Sequence, residues 1–364
     1  CGTLIVFAQL SFMRNQSLGV KTGQTLVVKF PGHTEGMNTK LEAMKKAISR
    51  LPLVHKVTFS GAVPGEEVAT FLSNRRTNDA LKQNRLYEML ACDPDYVDAY
   101  GLTVVAGRGF SEEYGDDVDK LVINETAVRN LGFTSNDEAI GQQVTVECTD
   151  APMQIIGVVK DYHQQALSKN YTPIMLIHKD KIDWLPQRYI SVVMKSGDPR
   201  ELVSQVEEIW HRYFEDSSYD YFFLDQFFDH QYRQDEAFGV MIGSFTGLAI
   251  FISCLGLWVL VMFSCTTRTK EMGIRKVLGA SRFNLFFQLG KGFFLLILIA
   301  VLIALPVAWF SMDTWLSHYA FRTELKGWFF ILPVVLMLLI SFVTVACQTM
   351  NIILSKPARS LRYE

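Results

Sequence analysis

The two halves of the chain differ in how their hydrophobic residues are spaced. Near the carboxyl end lie three stretches without Asp, Glu, Lys or Arg, at 237–267, 292–312 and 327–355. Each is longer than the roughly 20 residues that an α-helix needs to cross about 30 Å of hydrocarbon. We therefore predict three transmembrane helices, at 238–265, 287–311 and 328–350.

Before residue 237 the hydrophobic residues follow strand and helix periods instead. Alternation at 24–30 and 54–60 predicts two strands, and Leu41, Met44 and Ile48 between them have helical spacing over 38–50. A second strand, helix and strand are predicted, at 189–195, 199–214 and 219–224. In this second helix Asp198 is the expected N-cap and Pro199 the first helical residue. The pattern predicts two βαβ units, at about 24–60 and 189–224.

The region between these units is rich in predicted strands. They lie near 86–91, 120–123, 142–147, 154–159 and 173–178. The simplest arrangement is a split extracytoplasmic domain over 14–237 with an inserted β-rich lobe at about 85–178.

A helical pattern connects this domain to the first apolar stretch. Leu224, Phe228 and Gln231 share one helical face, and no Pro or Gly occurs from there until Gly239. We predict a stalk helix over 225–237 that continues into the membrane. Small residues then recur every four positions, at Gly239, Gly243 and Gly247. They suit close helix packing, either inside a bundle or against a second copy.

Charge distribution predicts the orientation in the membrane. The overall hydrophobic content of 49% conceals an uneven distribution of charged residues, most of which precede residue 237. The net charge of −2 gives no reason to expect a nucleic-acid partner. Basic residues dominate a segment at 266–286 and the tail at 351–364, whereas the loop at 312–327 is balanced. Because cytoplasmic loops carry excess Lys and Arg, the segment and tail should be cytoplasmic and residues 14–237 outside.

The amino-terminal residues 1–13 are apolar but too short to span a bilayer, and they lack the basic region of a signal peptide. We interpret them as the outer end of a first transmembrane helix. The remainder of that helix, and a further permease unit in some arrangements, would precede Cys1. A mature lipoprotein also begins with Cys, although a polar tether would then usually follow.

Several motifs resemble one family. Residues 268–281 read Arg-Thr-Lys-Glu-Met-Gly-Ile-Arg-Lys-Val-Leu-Gly-Ala-Ser, which is similar to the signature of the FtsX-like permease family, with Met272 and Val277 as mild departures. The tail at 356–364 resembles that family's usual ending. Residues 106–110, 122–128 and 155–163 resemble the MacB-type periplasmic domain. The resemblance implies an α-helical membrane protein with an α+β extracytoplasmic domain, built as a four-helix permease unit whose first helix is truncated.

The resemblance also implies a mechanism, in which the basic segment docks on a separate cytoplasmic ABC ATPase. The docking residues would be Arg268, Glu271, Met272, Gly273, Ile274, Arg275, Lys276, Val277, Leu278, Gly279 and Ala280. This chain contains no phosphate-binding Gly-x-x-x-x-Gly-Lys-Ser/Thr motif, so ATP would be bound by the partner and no cofactor by the chain itself. Other expected partners are a second permease unit, a periplasmic adaptor or outer-membrane channel, and the lipid bilayer. The plainer alternative is a basic loop that only sets the orientation.

Two other functions remain open from the sequence. The chain could be a regulator that relays ATPase motion to a periplasmic cell-wall hydrolase, or a membrane enzyme with its active site in the middle lobe. Enzymatic signals are weak: His33, His163 and His178 lack metal-ligand spacing, and Asp161 beside His163 suits a turn better than catalysis. We expect no catalytic residue and no metal. Cys92 and Cys148 could form a disulfide in an oxidising compartment.

Overall fold

The computed structural model describes residues 1–31, 37–78, 83–111, 113, 117–165, 169–215, 217–268, 271, 274 and 282–354. The chain forms two compact units. We call Gln16–Arg233 the β-rich unit, and Cys1–Asn15 with Gln234–Glu364 the helical unit. The helices are α1 Gly2–Asn15, α2 Met37–Ser49, α3 Tyr96–Ala99, α4 Glu125–Asn130, α5 Asn136–Ala139, α6 Pro199–Tyr213, α7 Leu224–Thr267, α8 Arg282–Leu316 and α9 Trp328–Leu354. The strands are β1 Thr25–Lys29, β2 Val54–Ser60, β3 Phe71–Arg76, β4 Arg85–Cys92, β5 Val104–Gly107, β6 Lys120–Asn124, β7 Gln143–Thr145, β8 Met153–Val159, β9 Ile174–His178, β10 Tyr189–Met194 and β11 Asp220–Phe223.

Both predicted strand–helix–strand segments are present, but their strands interleave. Strands β1 and β2 each pair antiparallel with β10, and β10 and β11 each pair antiparallel with β1. The order is therefore β11-β1-β10-β2, and we call these four strands the half-sheet. Each βαβ unit is split by a strand of the other unit, which the local pattern could not indicate.

Helices α2 and α6 pack on this part of the sheet and enclose a core. The largest buried side chain there is Trp210, which stacks on Phe30 with ring centroids 6.0 Å apart. Asp198 caps α6 as predicted, because its carboxylate accepts a hydrogen bond from the Arg200 amide at 2.9 Å. These packed helices leave one face of the half-sheet for the rest of the unit.

The middle of the unit is a closed ring of strands in the described part of the chain. Its order is β4-β3-β7-β8-β6-β9, and β9 pairs back onto β4 in parallel. Apolar side chains such as Tyr87, Ile123 and Ile155 fill the interior. Two strands were absent from our prediction, β3 in the ring and β5, which pairs with β8.

The predicted inserted lobe at about 85–178 is corrected in one respect, because the ring includes β3 and so begins before residue 85. The ring and the half-sheet belong to one sheet. The junction is narrow, since β2 and β4 share one register pair, Ser60 with Cys92. Cys92 is buried and Cys148 exposed, and both thiols are free, so the suggested disulfide is not formed.

Three of the described helices are long and apolar enough to cross a membrane. They cover Leu224–Ser264, Gly290–Leu316 and Trp328–Cys347. Helix α1 is apolar but shorter. Helix α7 has 44 residues and begins immediately after β11, so the predicted stalk and first full span lie in one helix. Pro306 and Pro333 lie inside α8 and α9.

Candidate functional site

The first turns of α7 are embedded in the β-rich unit. We call residues 224–233 the stalk foot. Leu224 and Phe228 are both buried there. A Cβ atom added at Gly65 would lie 2.8 Å from Cζ of Phe228, and Gly65 has a φ of +91°, which favours glycine. The Phe228 ring is thus seated against a backbone position that only glycine fits without strain.

A hydrogen bond adds to this seat. The Gln231 side-chain amide donates to the Gly65 carbonyl oxygen at 2.7 Å. Phe227 also packs at the edge of the same cluster, with its ring 5.2 Å from that of Phe222 in β11. The sequence pattern correctly indicated the helical face of the stalk but gave no indication of its partner, Gly65.

Within the helical unit, α7 packs antiparallel on α1. Arg14 forms an ion pair with Glu236 at 3.0 Å, and the hydroxyls of Thr3 and Thr246 are 2.7 Å apart. Between these contacts lie the small residues of α7. A Cβ at Gly239 would meet Leu10 at 2.9 Å, and one at Gly243 would meet Phe7 at 3.7 Å. These two glycines therefore allow close contact with α1 inside the same chain.

Gly247 differs from the other two glycines of the motif. No described atom lies within 4 Å of a Cβ position built there. Of the three glycines, Gly247 alone has no neighbouring atom in the described helices at its Cβ position.

Helix α1 is also attached to the loop between α8 and α9. The Gln9 side chain is fully buried; it donates to the Phe321 carbonyl oxygen and accepts from the Thr323 amide, both at 2.8 Å. Ile5 packs in a cluster with Leu316, Phe329 and Phe330. The amide of Gln9 thus pairs with two part-buried backbone groups of this loop.

At its other end α7 runs to Thr267. The hydroxyls of Thr266 and Thr267 donate to the Phe263 carbonyl oxygen at 2.9 and 3.0 Å, a bond that side chains of this type often make within a helix. Of the predicted docking residues, Arg268, Glu271 and Ile274 are described, and the Ile274 side chain is exposed. The others lie outside the described residues: Met272, Gly273, Arg275, Lys276, Val277, Leu278, Gly279 and Ala280.

In the middle lobe, Asp161 and His163 make contacts that hold the fold together. The Asp161 carboxylate accepts hydrogen bonds from the Thr126 amide and hydroxyl at 2.8 and 2.9 Å, and it pairs with Arg129 at 2.7 Å. It therefore holds the start of α4. Burial lowers the pKa of His163 to about 4, and its ring lies 4.7 Å from that of Tyr171.

The other sequence candidates add no clustered chemistry. His178 lies at the end of β9, with its ring edge-on to Phe110, and His33 lies outside the described residues. Among the described side chains, no group of three or more His, Cys, Asp or Glu could hold a metal ion.

A stranded unit joined to membrane-length helices defines a membrane protein with a large extramembrane domain. Residues 3–209 match the MacB-like periplasmic core domain, and residues 243–357 match the FtsX-like permease C-terminal domain. The first match alone covers more than half of the chain. The chain belongs to this family of ABC transporter permeases, which confirms the resemblance read from its motifs.

Individual relatives are distant. The chain is 21% identical over 221 residues to the uncharacterized ABC transporter permease YvrN of Bacillus subtilis (strain 168), covering 55% of this chain and 52% of the relative. It is 23% identical over 265 residues to the macrolide export ATP-binding/permease protein MacB of Bartonella quintana (strain Toulouse), covering 70% and 37%. The chain thus spans about half or less of the length of these curated relatives.

Two solved structures are also distant in sequence from this chain. The periplasmic region of MacB from Actinobacillus actinomycetemcomitans aligns with a TM-score of 0.40 and 16% identity, over 57% of this chain and 92% of that one. The extracellular domain of the noncanonic ABC-type transporter YknZ from Gram-positive bacteria gives 0.39 and 16%, over 54% and 97%.

Proposed function

We propose that this chain is the permease subunit of an ABC-type complex that couples ATP hydrolysis by a partner ATPase to motion of the β-rich unit. It lies in the bacterial inner membrane as a multi-pass protein, with the β-rich unit in the periplasm. The motion of the β-rich unit drives export of a substrate, or its extraction from the periplasm or the membrane. The observation that carries the proposal is α7, whose first turns are buried in the β-rich unit and whose last two residues are the first two of the basic segment.

The length of α7 supports this role. At 1.5 Å per residue its 44 residues extend about 66 Å, roughly twice the hydrocarbon thickness of a bilayer. The predicted span at 238–265 ends two residues before Thr267, so the turns beyond the membrane lie at the end of α7 that enters the β-rich unit. A displacement at its cytoplasmic end can therefore reach the stalk foot along one continuous hydrogen-bonded element.

The docking surface for the ATPase is the basic segment at 266–286. Ile274 is exposed, and the sequence places apolar Leu278 four residues later and basic Arg275 between them; we expect the two apolar residues to contact the ATPase and Arg275 to lie at the rim of the contact. ATP is bound by the partner, and this chain needs no cofactor or catalytic residue of its own. A second permease unit, either a second copy or a fused half, completes the transmembrane part. A periplasmic adaptor or outer-membrane channel would receive the substrate.

The test compares two variants of the full-length chain in native membranes. Leu278→Asp places an unpaired carboxylate in an apolar contact, which costs several kcal/mol, so ATPase co-purification and ATP turnover should fall strongly. Arg275→Glu should weaken both less, because rim charges contribute about 0–1 kcal/mol and are screened by salt. Asn78→Asp, at an exposed position of the β-rich unit, is the control. Unchanged co-purification and turnover in Leu278→Asp, at normal membrane levels, would leave a basic loop that only sets the orientation.

The regulatory alternative uses the same coupling but a different output. Co-purification of a cell-wall hydrolase with the intact complex would support regulation, and co-purification of an adaptor or channel would support transport. Neither outcome affects the role of α7.

A further inference from the structure

One loop lies where three parts of the β-rich unit meet. Residues 62–68, which we call the relay loop, connect β2 in the half-sheet to β3 in the closed ring. Ala62, Val63 and Gly65 are buried although they belong to a connection between strands. A buried loop must have its backbone polar groups satisfied by specific partners, and the identity of these partners shows what the loop connects.

The first partner is the stalk foot. Gln231 donates to the Gly65 carbonyl oxygen at 2.7 Å, and the Phe228 ring fills the space that a Gly65 side chain would need. A shift of this part of α7 would therefore either break the hydrogen bond to Gly65 or displace the loop with it.

The second partner belongs to the middle lobe. The Gln164 side chain is 2% exposed and lies just after β8, a strand of the ring. Its amide donates to the Val63 carbonyl oxygen at 2.8 Å and to the Glu66 carbonyl oxygen at 3.0 Å. Both amide hydrogens of one buried side chain are thus directed at the relay loop.

The third partner belongs to the half-sheet. The Tyr189 hydroxyl at the start of β10 donates to Oε1 of Glu66 at 2.7 Å. Burial raises the pKa of Tyr189, and the bond to Glu66 raises it further, so the hydroxyl keeps its proton and remains a donor. Residues of the relay loop consequently contact the stalk foot, the ring and the half-sheet at the same time.

We propose that the relay loop transmits displacement of the stalk foot to the closed ring, with Gln231 and Gln164 as the positioning residues at its two sides. Its biological use rests on the proposed function, because ATP-driven motion of α7 would be the input. The mechanical coupling itself is a property of this chain and needs no ATPase. Gln231 and Gln164 bind different carbonyl groups of the loop, so the loop links these two side chains.

The experiment is hydrogen–deuterium exchange on the full-length chain in lipid nanodiscs, without ATPase. Gln231→Ala removes the bond to Gly65. We expect the relay loop, including the Glu66 amide bonded to Val63, and the His163 amide bonded to Leu18 to exchange about fivefold faster, the effect of losing one hydrogen bond of ordinary strength. Because coupling between sites is reciprocal, Gln164→Ala should accelerate exchange in the stalk foot by a similar factor. Gln226→Ala, at an exposed position of the same helix, should leave all three segments unchanged.

Two outcomes would overturn the proposal. In the first, Gln231→Ala accelerates exchange in the stalk foot and the relay loop but not at His163. In the second, Gln164→Ala affects the ring but not the stalk foot. Either result would leave the ATPase test on Leu278 unaffected, whereas failure of that test would leave the exchange result standing, so the two hypotheses fail separately.

Discussion

The buried amide of Gln9 offers a quantitative test of how α1 is held. Gln9→Leu keeps the approximate size of the side chain and removes both of its hydrogen bonds. The Phe321 carbonyl and the Thr323 amide would then be left without this partner. Removing this partner from a part-buried backbone group costs about 1–3 kcal/mol, so the two losses together cost about 4 kcal/mol. Greater apolar burial by leucine recovers about 2 kcal/mol, which leaves a net loss of about 2 kcal/mol in the free energy of unfolding.

The measurement is an SDS titration of the full-length chain in mixed micelles. A fluorophore on a cysteine placed at Ser317, an exposed position in the same loop, reports when the loop detaches. Phe12→Leu changes a more exposed side chain of the same helix without touching these bonds and should shift the unfolding free energy far less. If Gln9→Leu unfolds within about 0.5 kcal/mol of the parent protein, the two hydrogen bonds do not secure α1, and the reasoning from buried backbone groups is wrong.

Three further predictions concern topology, pH and capping. A membrane-impermeant thiol reagent should label cysteines placed at the exposed positions Asn78 and Ser317 in whole cells but not one at Thr269; labelling of the last from outside would reverse the proposed orientation. Because burial lowers the pKa of His163 from 6.5 to about 4, the unfolded chain binds its proton first as the pH falls through that window. Stability from this group is complete above pH 6.5 and should drop by about 2 kcal/mol by pH 5, and the pH profile of His163→Phe should lack this drop. Asp198→Ala removes the cap of α6 and should lower the unfolding free energy by about 1 kcal/mol, with an unchanged melting curve as the contradicting result.

The parts of the fold that could be predicted are those encoded in local periodicity. Alternation predicts strands β1 and β2, helical spacing predicts α2 and α6, and the absence of charge predicts the membrane-length helices. Strand β3 reads Phe-Leu-Ser-Asn-Arg-Arg and buries only Leu72 and Asn74, so it lacks a clear hydrophobic alternation. It pairs with the next strand, β4, but its place in the ring also depends on β7, which is far away in sequence. The return pairing of β9 on β4 is equally non-local, and no residue pattern within either strand specifies it.

The candidate site shows the same limit. The helical face of the stalk, with Leu224, Phe228 and Gln231, was readable because its spacing is local. Its partner Gly65 lies far earlier in the chain. The Pro-Gly pair at that position indicates a turn and gives no sign of a contact with an aromatic ring. Gly239 and Gly243 were recognised as a packing motif, but only the structure identifies α1 as the neighbour of both. The docking role of the basic segment remains a prediction from sequence, since most of it lies outside the described residues.

The single register pair between Ser60 and Cys92 has a consequence for the elasticity of the β-rich unit. Bending a sheet between two strands that share many residue pairs strains many hydrogen bonds. Between β2 and β4, bending strains only the few bonds around one pair, such as those from the Gly61 amide to Ala91 and from the Asp93 amide to Phe59. We therefore expect the ring and the half-sheet, each with a core of its own, to rotate about the line between β2 and β4 as an axis, with rearrangement confined to the core that both share. The relay loop begins two residues after Ser60, so its contacts act close to the axis, where a small displacement produces the largest angular change.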